Sequence, residues 1–500
     1  MEHLFEAFGA VFNPLSAALV IVGTVFGMIC GTLPGVSTSL AIILCLPFTY
    51  TMDPASAVVL LISVYVGGAC GGSIAAILIK TPGTPEAVAT TFDGYPMARK
   101  GDVGKALGLA VTASSFGTIF SAAVMLVAAP LLAKIALTFQ SAEYFGLGLL
   151  GLSCITSISA KDEAKAFLSV ILGLLISTVG IDTIDGTERF TFGEPFLLNG
   201  INYIPVMIGA FAVAEVIRNI EEYRLRDTTK TVGTVSIKLM KFAEMLRMWA
   251  TFVKASIIGV VVGIIPAAGG SISSLIAYGE AARSNKNDPI PFGEGNPRGI
   301  IAPEAANNAG VGGSLVPTMV LGIPGSPVTA VIMAAFIIVG LRPGPLLLRD
   351  QPVLLNTIFL GLIFSALLLF LGGRFVTQQF GHILKLPYPL LAPLIIVLGL
   401  VGAYSLENSI YAVFVMFIFG LIGYLFDKFQ YSNPALILGL ILGELVENSL
   451  RKQIIIADGS FSGFFERPVS LVILIIVLLI FAWPMIARLT GIGSPRGKKG

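Results

Sequence analysis

The chain has 500 residues, 55% of them hydrophobic and only 12% charged, with a mean hydropathy of +0.90; a soluble domain carries about twice that charge fraction. A net charge of +2 leaves no basic footprint for nucleic acid. Continuous apolar stretches such as Leu471–Trp483, which holds no polar residue, exclude a β-barrel, whose strands alternate. The class that remains is an all-α polytopic membrane protein.

In chain order, the first fourteen residues carry Glu2 and Glu6 and no Lys or Arg, a flank that leans external and lacks the basic start of a cleavable signal. No Asp, Glu, Lys or Arg then occurs between Glu6 and Asp53, Asp53 and Lys80, or Lys105 and Lys134. The same holds from Lys254 to Glu280, Glu304 to Arg342, Asp350 to Arg374 and Lys385 to Glu407. A crossing helix needs about 20 apolar residues, so spans are expected at 15–34, 55–79, 105–133, 142–160, 165–181 and 196–217. After a polar interruption they resume at 250–266, 305–322, 327–341, 353–372, 386–404, 408–426, 433–447 and 468–487. The stretches 37–50 and 271–282 are too short to cross and read as re-entrant. Some spans are half-helices, which gives about eleven to thirteen crossings. The four cysteines, Cys30, Cys45, Cys70 and Cys154, lie scattered in apolar runs and read as small buried hydrophobes.

The interruption, Arg218–Lys254, holds Arg218, Arg224, Arg226, Lys230, Lys238, Lys241, Arg247 and Lys254 against Glu221, Glu222, Asp227 and Glu244. Such an excess places it in the cytoplasm. The acidic connection with Asp182, Asp185, Glu188 and Glu194 is then external, and the tail with Arg496, Lys498 and Lys499 is cytoplasmic. The expected organisation is an N-terminal half, 1–217, a cytoplasmic linker, 218–254, and a C-terminal half, 255–500.

The halves resemble each other. Gly31-Thr-Leu-Pro34-Gly35 is followed by Gly71-Gly72-Ser73 and Thr81-Pro82-Gly83-Thr84-Pro85; Gly263-Ile-Ile-Pro266 is followed by Gly312-Gly313-Ser314 and Pro324-Gly325-Ser326-Pro327. The offsets are 232, 241 and 242, so the order is kept and only loop insertions differ. Gene duplication is the simplest account.

Pro inside a helix costs about 3 kcal/mol or more, and Gly adds about 1 kcal/mol against helix. The Pro-Gly elements are therefore breaks, and the backbone groups they release must be buried in protein or line a wet cavity. A half-helix starting after a break presents N–H groups and a positive dipole end to an anion; one ending there offers carbonyls to Na⁺. The expected substrate-binding set is Gly35, Ser37, Pro82, Gly83, Thr84, Gly269, Gly270, Ser271, Asn307, Asn308, Pro324, Gly325 and Ser326. Hydroxyls of Thr32, Ser73, Thr81 and Ser314 are candidate Na⁺ ligands. An isolated Gly-Gly-Ser is often mere helix packing; its duplication beside a second duplicated motif argues for a site. Lys80 reads as a snorkelling side chain or as counter-charge, and Glu86 as a helix N-terminal acid or a coupling-ion ligand. Asn307 and Asn308, adjacent amides in an uncharged run, read as cavity-lining. Glu407, Glu444 and Glu447 read as interfacial, and His3 and His382 as solvated.

The elements Gly31–Gly35, Thr81–Pro85, Phe92-Asp-Gly-Tyr-Pro96, Pro303-Glu-Ala-Ala-Asn-Asn308 and Gly322–Pro327 together resemble the large membrane subunit of the bacterial tripartite tricarboxylate transporters (TctA type), over essentially the whole chain. The resemblance implies an elevator-like ion-transporter fold with inverted repeats and re-entrant hairpins, with hairpin tips at Leu33–Ser37 and Pro266–Ser271 and broken-helix turns at Thr81–Pro85 and Ile323–Pro327. It also implies a bacterial inner-membrane location, a small four-helix membrane subunit and a periplasmic solute-binding protein as partners, and carboxylate uptake driven by Na⁺ or H⁺ with no other cofactor.

The alternative is the permease of an ATP-driven importer, because Glu304-Ala-Ala-x-x-x-Gly310 followed by Ile323-Pro324 is close to the loop by which such permeases touch their ATPase. An enzyme is not expected: there is no GxxxxGK[ST] and no HExxH among two histidines. A channel usually builds its filter by oligomeric symmetry, unlike two non-identical halves in one chain.

Overall fold

The first long apolar segment begins where Asn13 accepts a hydrogen bond from the backbone N–H of Ser16 at 2.8 Å, with Pro14 opening the helix as Pro does best. The same device recurs at Asp53, which accepts from Ser56 N at 3.1 Å ahead of Pro54. The computed structural model describes residues 2–33, 35–158, 163–223, 237–265, 269–383 and 388–490. These residues are helical nearly throughout; among them six helices are long and apolar enough to cross a membrane, and there are further, shorter apolar helices. Pro34, Pro266, residues 224–236 of the basic loop and the tail from 491 lie outside the described residues.

Two compact units emerge, 1–137 with 202–425, and 138–201 with 426–500. The first holds both repeats. In chain order it contains α1 (Glu2–Phe12), α2 (Pro14–Thr32), α3 (Thr38–Thr49), α4 (Pro54–Ile79), α5 (Thr90–Met97) and α6 (Val103–Ala136). The second unit contributes α7 (Ser141–Ile158) and α8 (Glu163–Ser177). The first resumes with α9 (Tyr203–Met207), α10 (Ala214–Tyr223), α11 (Phe242–Arg247), α12 (Trp249–Ile264), α13 (Gly269–Ser284), α14 (Arg298–Leu321), α15 (Pro327–Ile338), α16 (Pro345–Asp350), α17 (Pro352–Ile383), α18 (Tyr388–Glu407) and α19 (Ile410–Lys428). Helices α20 (Asn433–Ile456) and α21 (Pro468–Thr490) return to the second unit.

The repeats share one plan: a helix, a hairpin tip, a short return helix, and a long helix ending at a break. In the first these are α2, α3 and α4; in the second, α12, α13 and α14. Each pairs its first helix with its long one through glycine. A Cβ on Gly27 would lie 2.2 Å from the Val64 carbonyl O, and one on Gly259 2.2 Å from that of Ala306. Small residues let the backbones approach this closely, and any larger side chain would force them apart. The repeats also interlock: α6 packs along α14, and α17 along α4. Helix α4 is buried along its whole apolar window, whereas α19 turns Phe414, Ile418 and Leu421 outward. That apolar outer face suits lipid.

The second unit is built on α8 against α20, where a Cβ on Gly173 would lie 2.1 Å from the Leu436 carbonyl O. A two-residue ribbon pairs Gly180 with Arg189. Asp182, in the connection read as external, accepts from the backbone N–H of Asp185 and Ile184 and pairs with Arg451, which together hold its carboxyl below the usual range. Glu447 pairs with Arg189 and Arg451.

Candidate functional site

Both expected breaks are present. Helix α4 ends because Lys80 takes a left-handed conformation, φ 59°, and α14 ends at Gly322, φ 68°, the matching position. From there the two diverge. After the first, Gly83 N–H donates to Gly72 O at 3.1 Å, folding the turn back along α4. A Cβ on Gly83 would lie 2.0 Å from Gly31 O, so the turn is seated between α2 and α4. Thr84 follows in extended conformation, 2% exposed; its Oγ1 has no hydrogen-bond partner of ordinary geometry and lies beside the Glu86 carboxyl. Only the short turn Pro85–Ala87 and two further residues, Val88 and Ala89, intervene before α5.

The second break is closed on itself. Gly325 N–H donates to Thr318 Oγ1 at 3.2 Å. Ser326 Oγ accepts from Thr329 N–H at 3.1 Å, and Thr329 Oγ1 accepts from Ser326 N–H at 2.9 Å, a reciprocal cap at the start of α15. Tyr65 of α4, from the other repeat, places its hydroxyl 3.1 Å from Ser314 Oγ and 3.3 Å from Ser326 Oγ.

The hairpin tips complete the arrangement. At the first, Ser37 accepts from Leu40 N–H at 3.1 Å, and Gly35 O accepts from Asn219 Nδ2 at 3.1 Å. At the second, Gly269 and Gly270 open α13. A Cβ on Gly270 would come 2.8 Å from Glu86 Cγ and 2.5 Å from Asn307 Oδ1, while Asn307 Nδ2 donates to Ala69 O at 3.0 Å. The first break of one repeat thus meets the second tip of the other around Thr84, Glu86, Gly270 and Asn307, with Ser271 next in the chain. The turn at 85–87 packs on α13, and α15 on α3.

Of the candidate residues, then, Gly270 and Asn307 meet at Glu86, with Thr84 beside that carboxyl, while Gly83 seats the turn against Gly31 and Gly72; Ser314, Pro324, Gly325 and Ser326 form the sealed second break; Gly35 and Ser37 lie at the first tip. The hydroxyls read as ion ligands are dispersed. Thr32 Oγ1 donates to Met28 O and Gly71 O, tying α2 to α4, and Thr81 is exposed. Ser314 is at the second break, and Ser73 lies beside Glu304. Lys80 is exposed, its Nζ 5.7 Å from the Tyr95 ring centroid.

Two residues stand out that sequence reasoning passed over. Tyr65 looked like any aromatic in an apolar run. Glu304, read only within a motif, is fully buried, with Thr90 Oγ1 donating to Oε1 and Ser114 Oγ to Oε2 at 3.1 Å. A carboxyl opening a 37-residue uncharged run was itself the available signal.

The profile of a family described as "Tripartite tricarboxylate transporter TctA family" matches residues 17–438. An Agrobacterium vitis protein described as an uncharacterized 52.8 kDa protein in the TAR-I ttuC' 3' region is 34% identical over 500 residues, 100% of this chain and 98% of that one. A second from the same organism, an uncharacterized protein in the TAR-II ttuC' 3' region, is 34% identical over 212 residues, 42% of this chain and 87% of its own. No solved structure matches.

Proposed function

Because the chain belongs to the tripartite tricarboxylate transporter TctA family, we propose that it is the large membrane subunit of a binding-protein-dependent carboxylate importer driven by a cation gradient. Its partners are a small four-helix membrane subunit and a periplasmic solute-binding protein. It sits in the bacterial inner membrane with the 218–254 loop and the C-terminus cytoplasmic, and acts as a transporter and not an enzyme.

The observation that carries this is the meeting of the first break with the second hairpin tip. Paired interrupted helices from duplicated halves are how secondary transporters build a midplane site. Thr84 and Asn307 offer neutral polar groups to a carboxylate there, and Glu86 stands beside them. An acid in an anion site repels its ligand unless a cation enters too, which favours cotransport. The ATP-driven reading needs Glu304-Ala-Ala on a surface that an ATPase can reach; Glu304, Asn307 and Asn308 are buried within α14, which counts against it.

The test is uptake of labelled citrate and related acids into proteoliposomes holding the full assembly, with Na⁺ gradient, pH gradient and ATP varied separately. Accumulation driven by a cation gradient without ATP is expected. Uptake that follows ATP alone would sink the proposal.

A further inference from the structure

Among the described residues four acidic side chains are buried: Asp93, Glu143, Asp182 and Glu304. Three of them have partners in the fold that stabilise their charge, by ion pairing at two and by backbone N–H groups at the third. Asp93 Oδ1 accepts from the backbone N–H groups of Gly293, Gly295 and Asn296 at 2.7–2.9 Å, and Oδ2 from Tyr278. Glu143 pairs with Arg467, and Asp182 with Arg451 and Arg189. Among the described residues Glu304 forms no ion pair and accepts no backbone N–H; the hydroxyls of Thr90 and Ser114 donate to it, and Ser73, whose Oγ donates to Cys70 O at 2.7 Å, lies beside it.

A carboxylate held only by neutral hydroxyls in an apolar interior keeps an uncompensated charge, and burial makes that charge costly unless a cation joins it. The surroundings fit a metal cation. A proton needs a single acceptor, whereas here one carboxylate and three hydroxyls converge from four elements: Glu304 from α14, Ser73 from α4, Thr90 from α5 and Ser114 from α6. These are hard oxygen donors, the set that suits alkali and alkaline-earth cations. One negative charge matches one positive charge, and no cluster of three or more His, Cys, Asp or Glu stands among the described residues to hold a divalent ion.

We propose that Glu304 is the charged ligand of a Na⁺ site completed by Thr90, Ser114 and Ser73, and that this ion couples carboxylate uptake. The coupling role rests on the reading of the chain as a cation-driven carboxylate importer; the binding site does not. Its place explains the coupling. Ser73 lies on the helix that ends at the first break and Thr90 opens the helix that follows it. An ion drawing both towards Glu304 fixes the geometry of the break between them, and with it Thr84 and Glu86.

The test has two arms. Binding of ²²Na⁺ to the purified full chain is expected for the native protein, to weaken at least tenfold in Glu304→Gln, and to weaken severalfold in Ser114→Ala and Thr90→Val. Should Glu304→Gln fail to fold, the two hydroxyl variants decide the matter, since each removes one neutral oxygen. In proteoliposomes with the full assembly, Glu304→Gln loses Na⁺-driven accumulation. Native protein that binds no Na⁺, or variants that bind it as tightly as the native chain, overturns the Na⁺ site, even where a pH gradient still drives uptake. Native protein that binds Na⁺ but moves no carboxylate under any gradient leaves the site standing and overturns the transport reading instead.

Discussion

The two breaks stand at matching positions of two similar halves, yet one is sealed and the other is open. At the second, every hydroxyl has a partner: Ser326 and Thr329 cap each other, Thr318 holds Gly325, and Tyr65 reaches across from the other repeat. At the first, Lys80 stands where the second has Gly322, Thr84 Oγ1 is buried without a hydrogen bond, and Glu86 projects against the opposite hairpin tip. The backbone route is shared, and the side chains differ. On the proposed reading the sealed break is a fixed support, and the open one the place where ligand groups are exchanged.

Bulk at the glycines gives the largest effect and bears on what the breaks have in common. A side chain at Gly83 would meet Gly31 O at 2.0 Å, and one at Gly325 would meet Ser314 Cα at 2.7 Å. Neither neighbour is a flexible tip, so both substitutions press on backbone. Overpacking of this kind costs about 1–3 kcal/mol. Gly83→Val and Gly325→Val should therefore both lower the melting temperature of the solubilised protein as well as uptake, with Gly83→Val the worse. A Gly83→Val protein that melts like the native one while losing uptake would mean that the glycine makes room for substrate and not for α2.

The polar residues separate the breaks at intermediate size. Ser326→Ala removes a helix cap, which typically costs about 1 kcal/mol. Thr84→Val removes a hydroxyl that lies beside the Glu86 carboxyl without a hydrogen bond of ordinary geometry, so the stability loss should stay below about 0.5 kcal/mol, under the net worth of a well-made hydrogen bond. Uptake should show the reverse order, with KM raised severalfold in Thr84→Val and little changed in Ser326→Ala. Equal effects of both on KM would end the distinction between a sealed and an open break.

Much of this was legible in the sequence. Charge-free runs and the Pro-Gly elements foretold the helices and both interruptions, because backbone chemistry near Pro and Gly is local. The short stretches expected at 37–50 and 271–282 appear as helices α3 and α13 within a residue or two. What no local rule supplies is which distant groups meet. Helix α14 starts before the apolar run and carries Pro303 inside it, because Asp93, 200 positions earlier, gathers the loop before it by three backbone N–H groups. Tyr65 reaching Ser326 and Glu304 reaching Thr90 are likewise contacts across the repeats, separated by more than 200 residues. Periodicity carries no trace of them. The fold was therefore readable at the level of elements, and the site only at the level of its glycines and prolines.

The smallest effect tests whether the open break is held by its backbone or by its side chains. An L-residue in left-handed conformation costs about 1–2 kcal/mol, a strain that glycine escapes. Lys80 bears it at φ 59°, where Gly322 at φ 68° does not. Lys80→Gly should relieve that strain but lose the approach of Nζ to the Tyr95 ring, worth about 0.5–1 kcal/mol at an exposed site, and should loosen the unfolded chain as any new glycine does. The expected net change is a gain of at most about 1 kcal/mol, read as a small rise in melting temperature, whereas Gly322→Lys should lose about that amount. A clear loss in Lys80→Gly would show that the lysine on Tyr95 clamps the first break, and the contrast with the sealed second break would then be one of means and not of openness.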